Sequence, residues 1–164
     1  MIPPIANNFV AGETAEEAVD HVASLNRRDV SGILNLLGEH YTERAPADAD
    51  ADAYVSLIED IAARDVDAAV SVKPSQIGLD VSEAVFAENL ARVVDAGSAA
   101  DVFVWIDMED HETTDVTLDA FETHARETDG NVGVCVQANL KRTRTDLERL
   151  APLAAAALRV ARDR

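Results

Sequence analysis

Polar side chains directly follow three apolar runs of this sequence. They are Lys73, the carboxylates of Asp107, Glu109 and Asp110, and Gln137. A lysine at the end of a buried strand can bind a substrate carboxylate or, after losing its proton, form a Schiff base. A lysine within a strand more commonly faces solvent, but Lys73 is one of two lysines in the chain and ends the run Val-Ser-Val. We therefore predict a functional role for Lys73.

The segment Asp107-Met108-Glu109-Asp110 is compatible with three interpretations. Its carboxylates could bind a divalent cation, relay a proton, or form an ordinary acidic loop in an acidic protein. His111 is adjacent, but no histidine stands beside these carboxylates at the spacing of metal ligands. We therefore predict no metal ion at this segment.

Gln137 and Cys135 belong to the same apolar run. The amide of Gln137 offers a donor and an acceptor, which suits hydrogen bonding to a polar heterocycle, although a satisfied loop amide is an equal alternative. Cys135 is the only cysteine, so no internal disulfide can form, and a reducing compartment is expected. Its apolar neighbours predict a small core residue.

Strand-like and helical patterns alternate about five times along the chain. We predict strands over residues 31–38, 68–72, 102–106 and 132–136. We predict helices starting at caps at Thr14 and Ser82, the second ending at Gly97. Further helices are marked by Tyr54, Leu57, Ile58 and Ile61, run from Thr113 or Thr114 to about Glu127, and start near Thr143. Buried strands alternating with helices indicate a parallel sheet, either doubly wound or a barrel.

The positions of the polar residues favour the barrel. They lie at the carboxyl ends of strands, where (βα)8 TIM-type barrels place their chemistry, and no strand is followed by a GxGxxG or P-loop motif. A full barrel needs eight units and usually about 250 residues. We therefore predict an α/β TIM-barrel type of fold with about the first five βα units, as one partial domain over residues 1–164.

The composition restricts the partners of the chain. Its 164 residues carry 31 acidic and 14 basic side chains and a formal net charge of −17, which disfavours nucleic acids and anionic membranes as partners. No run reaches the ~20 apolar residues of a membrane span, and the first residues do not form a signal peptide. We expect a cytoplasmic protein. The high acidity and the scarcity of lysine resemble proteins of salt-loving cells.

Seven segments of the chain occur in an order that is specific to one family. They are FVAGET (9–14), NLLGE (35–39), SVKPSQIGLD (71–80), IDMED (106–110), TTDVTL (113–118), NVGVCVQANLKRT (131–143) and DLERLAPL (146–153). Over about residues 9–153 the chain resembles proline dehydrogenase of the monofunctional bacterial and archaeal type. The resemblance implies an FAD-dependent TIM barrel that oxidises L-proline to Δ1-pyrroline-5-carboxylate and passes the electrons to a quinone.

The same resemblance implies roles for four residues. Lys73 matches the lysine that pairs with the proline carboxylate, and Asp107 matches the catalytic-site aspartate. Met108 matches the position where the backbone meets the flavin. Gln137 matches a glutamine that hydrogen-bonds the flavin ring.

The last eleven residues depart from the family pattern. The family continues with a strand carrying an arginine that faces the flavin, and later with further βα units and an arginine pair that clamps the substrate. Residues 154–164 read instead as an atypical Ala/Arg tail, in which Arg159 is not equated with the flavin arginine. We therefore expect a C-terminally truncated form, with a frameshift as one hypothesis for its origin and with its activity left open.

Two alternatives of other classes remain open. A partial barrel would leave unpaired sheet edges, so the chain could be a non-catalytic half-barrel stabilised by self-association as a homo-oligomer. From its chemistry alone, Lys73 could also serve a Schiff-base aldolase-type barrel.

Overall fold

The computed structural model describes residues 11–128, 130–153 and 157–161, in which helices and strands alternate. The helices are α1 (Ala15–Asn26), α2 (Arg44–Ala63), α3 (Glu83–Ala100), α4 (Thr114–Glu127) and α5 (Thr143–Leu150). The strands are β1 (Gly32–Leu34), β2 (Ala68–Val72), β3 (Val104–Asp107), β4 (Val132–Gln137) and β5 (Ala157–Ala161). Residues 9 and 10 of the first motif, and residues 154–156 and 162–164 of the expected tail, lie outside the described residues.

The five strands form one parallel sheet in chain order, β1-β2-β3-β4-β5. A doubly wound sheet reverses its strand order at a switch point, whereas a barrel adds each strand beside the previous one. The observed order is therefore that of a half-barrel, and the predicted TIM-barrel type of α/β fold with about five βα units is confirmed. Among the described residues, every helix is too short or too polar to cross a lipid bilayer.

Alternation along the strands separates an apolar face from a polar one. Side chains at every second position of a strand share a face of the sheet. One set of alternate positions in β2, β3 and β4 is filled by buried Val70, Val72, Val104, Ile106, Val132, Val134 and Val136. The intervening positions include Ser71, Asp107, Cys135 and Gln137. The apolar set joins the core with the helices, which leaves the polar set for the inner face of the half-barrel.

Two predicted helix starts are confirmed by side-chain caps. The Thr14 hydroxyl accepts a hydrogen bond from the Glu17 backbone N–H at 3.2 Å. The Ser82 hydroxyl accepts one from the Val85 N–H at 3.2 Å. Each cap satisfies an amide that has no partner within its own helix.

The predicted end of α3 at Gly97 is wrong. The helix continues to Ala100, and its C-cap Asp101 adopts a left-handed φ of 55°. Gly97 instead allows α3 to approach β3 closely, since a Cβ there would lie 2.6 Å from Val104 Cγ2 and 2.7 Å from the Val102 carbonyl oxygen. A packing requirement, and not a helix stop, explains this glycine.

The two edge strands also differ from the sequence prediction. β1 is shorter than the strand predicted at 31–38. Leu37, in the second half of that predicted strand, is 77% exposed. β5 lies in the segment interpreted as an atypical tail, yet it pairs with β4 from Gly133 opposite Ala157 to Gln137 opposite Ala161. Short alanine-rich segments carry little periodicity, so pairing with β4 defines β5 more clearly than its composition does.

A buried tyrosine connects the first two strands. Tyr54 of α2 is fully buried, and its hydroxyl accepts a hydrogen bond from the Leu36 N–H at 3.1 Å and donates to the Ser71 carbonyl oxygen at 2.7 Å. Its oxygen also lies 3.2 Å from Oε1 of the buried Gln76. Burial raises the pKa of Tyr54, so the hydroxyl keeps its proton at neutral pH. Tyr54 therefore fixes the segment after β1 against β2.

We predict that Tyr54→Phe lowers the free energy of unfolding by about 1–3 kcal/mol, because the buried Ser71 carbonyl oxygen would lose its donor and the part-buried Leu36 amide its acceptor. Urea unfolding followed by circular dichroism measures this loss. Tyr41→Phe is the matched control and should cost less, because Tyr41 is only partly buried. Equal stability of Tyr54→Phe and the wild type would contradict a structural role for the hydroxyl.

Candidate active site

A cavity of about 380 Å³ opens at the carboxyl ends of β2, β3 and β4. Its lining consists of Lys73, Asp107, Met108, Glu109, Asp110, Cys135, Gln137 and Ala161. The four residues singled out in the sequence, Lys73, Asp107, Met108 and Gln137, therefore line the same cavity. They meet because parallel strands end at the same edge of a sheet and side chains two positions apart share a face.

Lys73 lines this cavity and forms an ion pair with Glu39. Its Nζ donates to Glu39 Oε2 at 2.7 Å, and Glu39 belongs to the segment after β1. This hydrogen bond, together with the opposite charges, raises the pKa of Lys73 and lowers the pKa of Glu39. A Schiff base requires a neutral amine, whereas an ammonium suits a carboxylate. The environment of Lys73 therefore favours anion binding.

The Asp107 carboxylate is bound by a side chain of the neighbouring strand β2. Its Oδ2 accepts a hydrogen bond from the hydroxyl of buried Ser71 at 2.9 Å. On the other side, Cys135 of β4 lies opposite Asp107 in the strand register. Burial, and then the charge of Asp107, raises the pKa of Cys135 to about 11, so the thiol stays protonated at neutral pH. Cys135 is buried, as predicted, although its side chain also lines the cavity.

The carboxylates after β3 have separate partners and do not converge. Glu109 Oε2 accepts from the Ser75 backbone N–H at 2.9 Å, and Oε1 accepts from the Ser75 hydroxyl at 3.0 Å. Asp107 is bound by Ser71 instead. Within residues 11–128, 130–153 and 157–161, no three His, Cys, Asp or Glu side chains are grouped as a metal site would require.

Gln137 presents an acceptor to the cavity. Its Nε2 donates to the backbone carbonyl oxygens of Met108, at 3.4 Å, and Glu109. Its Oε1 accepts no hydrogen bond from the part of the chain that is described, so it is available to a donor in the cavity. The Met108 N–H already donates to the Cys135 carbonyl oxygen at 3.0 Å, which extends the ladder between β3 and β4.

An aromatic and a cationic side chain lie on the same face of the sheet, nearer the amino ends of the strands. The guanidinium of Arg159 lies 5.1 Å from the centroid of the Trp105 ring, a cation–π contact. Arg159 lies opposite Cys135 in the register of β5 and β4. Gly133 makes room for the indole, since a Cβ there would lie 2.7 Å from Trp105 Cζ3. β5 thus adds positive charge to the polar face of the sheet.

The donors and acceptors of this face match those of a flavin ring in kind. Such a ring has an N–H that needs an acceptor and carbonyl oxygens that favour a nearby positive charge. Gln137 Oε1 supplies the acceptor within the cavity lining. Arg159, which is not equated with the flavin arginine of the family, adds a positive charge on the same face of the sheet. These residues could therefore hold a flavin, with Met108 at the point where the backbone turns from β3 into the cavity wall.

Three residues around the cavity were not singled out as site residues from the sequence. They are Glu39, Ser71 and Arg159. Glu39 follows the strand next to that of Lys73 and carries the opposite charge, which was a usable indication. Arg159 stands between Leu158 and Val160, an alternation too short to indicate a strand by itself, and its place on the polar face follows from the pairing of β5 with β4. Ser71 carried no comparable indication.

Comparisons with known proteins agree on one family. The family model described as proline dehydrogenase matches residues 18–162. Proline dehydrogenase 1 of Bacillus subtilis subsp. natto is 33% identical over 148 residues, which cover 90% of this chain and 49% of that protein. Proline dehydrogenase of Deinococcus radiodurans is 35% identical over 155 residues, covering 90% of this chain and 50% of that protein. The chain spans about half the length of the curated relatives it matches.

Solved structures give the same fold. Proline utilization A (PutA) from Bdellovibrio bacteriovorus, inactivated by N-propargylglycine, matches with a TM-score of 0.86. The match has 21% sequence identity and covers 96% of this chain and 20% of that protein. A bifunctional PutA matches with a TM-score of 0.72 and 22% identity, covering 95% of this chain and 18% of its own. At these identities the likeness shows the fold alone.

The ion pair between Lys73 and Glu39 predicts how readily the Lys73 amine is acylated. Glu39→Gln removes the partner that raises the pKa of Lys73, so more neutral amine is present at mildly alkaline pH. We expect acylation of Lys73 by acetic anhydride to increase by about two- to fivefold, the range of an exposed ion pair. Mass spectrometry measures it relative to Lys141, the other lysine.

Exposed Glu43 provides the charge-matched control, because Glu43→Gln also removes one negative charge. Both charges of the Lys73–Glu39 ion pair are present at neutral pH, and the pair is lost when either residue becomes neutral. Its contribution disappears as the pH falls through the lowered pKa of Glu39 and as it rises through the raised pKa of Lys73. An equal Lys73-to-Lys141 ratio in Glu39→Gln and Glu43→Gln would contradict the pairing.

Proposed function

The chain belongs to the proline dehydrogenase family, and we propose that its cavity is the substrate and flavin site of an FAD-dependent enzyme that oxidises L-proline to Δ1-pyrroline-5-carboxylate. The observation that carries this proposal is the convergence of Lys73, Asp107, Met108 and Gln137 on one cavity at the carboxyl ends of the strands. This is the edge at which barrel enzymes bind their substrates. The proposed catalytic domain extends over residues 1–164 as a partial barrel.

Lys73 is the proposed anchor for the carboxylate of proline. Its ammonium is kept protonated by Glu39, and the carboxylate of the substrate would take the place of Glu39 as its partner. A charge-assisted hydrogen bond to a fixed ammonium would orient the ring of proline as well as retain it. Pro74, directly after Lys73, restricts the backbone without touching the ammonium.

Asp107 is the proposed catalytic carboxylate. The Ser71 hydroxyl donates to Oδ2, and the Asp107 side chain lines the cavity, where its carboxylate has further acceptor sites for a ligand. Bound proline carries a secondary ammonium, which must lose a proton before its ring C–N bond can be oxidised. A carboxylate next to the anchor of the substrate carboxylate can accept a hydrogen bond from that nitrogen and take its proton.

FAD is the proposed cofactor and would supply the hydride acceptor for the reaction. Gln137 Oε1 would accept from the flavin ring N–H, and the backbone at Met108 would contact the ring. The Arg159 guanidinium, on the same face of the sheet, would favour negative charge on a reduced flavin. A quinone as the electron acceptor is proposed on the family resemblance.

The composition supports two further proposals. With a formal net charge of −17, the chain would repel nucleic acids. Its single cysteine, which cannot form an internal disulfide, supports the proposal that it acts in the cytoplasm. We also propose adaptation to concentrated salt, because screening would relieve the mutual repulsion of the carboxylates. Arginines pair with acidic side chains over the surface, as Arg92 does with Asp52 and Arg149 with Asp119. Each exposed pair contributes little by itself.

Exposed apolar side chains near both edge strands favour a second candidate, a non-catalytic half-barrel that self-associates. Ile33 in β1 and Val160 in β5 are 46% and 54% exposed, and each strand has one neighbour in the described sheet. Burial of such edges in a homo-oligomer would remove them from water. Sedimentation analysis of the apoprotein tests this candidate, which predicts a dimer or larger assembly without bound flavin.

We predict that the protein purified in molar KCl with added FAD retains a visible flavin band, and that L-proline bleaches the band. Lys73→Ala should raise the KM for proline by about ten- to hundredfold, with a smaller change in kcat. This is the loss in binding expected when a hydrogen bond to a charged group is removed. Lys141→Ala is the matched control. A colourless protein would reject the flavin site, and an unchanged KM in Lys73→Ala would reject the anchor.

Salt dependence is a separate prediction. We expect the helical circular dichroism signal to be lost in dilute buffer and retained in molar KCl, because the charges of the acidic surface repel one another when unscreened. Molar sucrose in dilute buffer is the control for a general stabilising effect of the medium. Equal spectra at low and molar KCl would reject the adaptation.

A further inference from the structure

Ser75 joins three loops at the edge of the cavity. It lies two residues beyond Lys73, and it is 4% exposed. Its N–H and its hydroxyl both donate to the Glu109 carboxylate, at 2.9 and 3.0 Å, and Glu109 follows β3. The Ser75 hydroxyl oxygen also accepts from the His40 N–H at 3.1 Å, and its carbonyl oxygen accepts from the Tyr41 N–H at 3.2 Å. One residue thus connects the segments after β1, β2 and β3.

The turn that contains Ser75 begins at Lys73. The Lys73 carbonyl oxygen accepts hydrogen bonds from the N–H groups of Gln76 and Ile77, at 3.1 and 3.2 Å. Ile77 is fully buried, so the far side of the turn is anchored in the core. Pro74 and Gln76, the neighbours of Ser75, are also buried, and the bonds of Ser75 connect this turn to the Glu109 carboxylate after β3. The position of the Lys73 backbone relative to the end of β3 therefore depends on how firmly Ser75 is fixed.

Glu109 differs from the other carboxylates of the cavity. Asp107 has one oxygen bound by Ser71, while Asp110 makes no side-chain hydrogen bond to any described residue. Glu109 has both of its oxygens directed at Ser75. Hydrogen bonds to a carboxylate are shorter and stronger than those between neutral groups, and two from one residue also fix its orientation.

We propose that Glu109 is a positioning residue, which holds Ser75 and thereby fixes the turn that presents Lys73 to the cavity. The effect of Glu109 on substrate binding rests on the proposed function, in which Lys73 binds the carboxylate of proline. The role proposed for Glu109 is structural, because both of its oxygens accept hydrogen bonds from Ser75. The Gln137 amide donates to the Glu109 backbone carbonyl, so the same residue also contacts the end of β4.

The position of an anchoring group has large effects on binding. A displacement of about 1 Å in a group that orients substrate can cost about a hundredfold in activity. The Lys73 ammonium has Glu39 as its partner on one side, and a loosened turn would let it leave that partner. The reactivity of Lys73 therefore reports on the turn without any substrate or flavin.

The first experiment measures acylation of Lys73 relative to Lys141 in Ser75 variants, which change no charge. We expect Ser75→Ala to raise the ratio about threefold, while Ser75→Thr keeps the hydroxyl and stays near the wild-type ratio. Circular dichroism confirms that each variant is folded. An unchanged ratio in Ser75→Ala, or an equal rise in Ser75→Thr, would overturn the proposal.

The second experiment tests Glu109 directly. Glu109→Gln should accelerate hydrogen exchange of the Ser75 amide by about tenfold, as seen by nuclear magnetic resonance, because one charged acceptor is lost. Asp110→Asn removes the same charge from the same cavity and should leave the exchange rate unchanged. In the double variant Glu109→Gln/Ser75→Ala, the amide of residue 75 should exchange no faster than in the faster single variant, because both changes act through one contact. Additive effects would show independent roles and overturn the proposal.

The third experiment connects the turn to substrate. L-proline should protect Lys73 from acylation, and the concentration for half protection should rise about tenfold in Ser75→Ala but not in Ser75→Thr. If proline fails to protect Lys73 in the wild type, the proposed function is rejected, and the acylation and exchange results without proline still decide the role of Glu109. If proline protects the wild type and Ser75→Ala equally, the function stands and the positioning role is overturned.

Discussion

The alternation of side chains across parallel strands is the constraint on which the rest of this structure depends. Alternate positions of β2, β3 and β4 are buried valines or isoleucines, with partly buried Ala68 at the start of β2, and they pack towards the helices. The remaining positions must then point to the other face, and polar residues occupy them at the carboxyl ends. Core and cavity are two sides of the same sheet. A shift of one residue in any strand would put its polar side chains into the apolar core.

The electrostatic balance of the cavity follows from this geometry. One ammonium, that of Lys73, lies among the carboxylates that follow β1 and β3. Such a site holds a proton on lysine firmly and is poorly suited to amine nucleophiles, which disfavours the Schiff-base alternative. It suits a zwitterion, because the ammonium can pair with the carboxylate of the ligand while the Asp107 carboxylate in the cavity lining can accept from its positive nitrogen. The separate partners of Asp107 and Glu109 divide the carboxylates into one that remains available and one that serves the structure.

The sequence was sufficient for the parts of the fold that are strongly periodic. β2, β3 and β4, the caps at Thr14 and Ser82, and the convergence of Lys73, Asp107 and Gln137 all follow from local patterns and from the rule that parallel strands end together. β5 was missed because its identity depends on pairing with β4, which lies outside its own sequence. The role of Gly97 was misjudged because a close contact with β3 looks the same in sequence as a helix stop. The pairing of Lys73 with Glu39 and of Glu109 with Ser75 depends on loop geometry, which carries no periodic pattern.

The contact between Trp105 and Arg159 has a consequence of another kind. Trp105 is the only tryptophan of the chain, and it lies on the inner face against Gly133, with the guanidinium of β5 above its ring. The fluorescence of the protein therefore comes mainly from one indole whose surroundings include the last strand of the described sheet. The fluorescence emission of Trp105 depends on whether β5 is paired with β4. Tryptophan fluorescence therefore reports directly on the attachment of the last described strand.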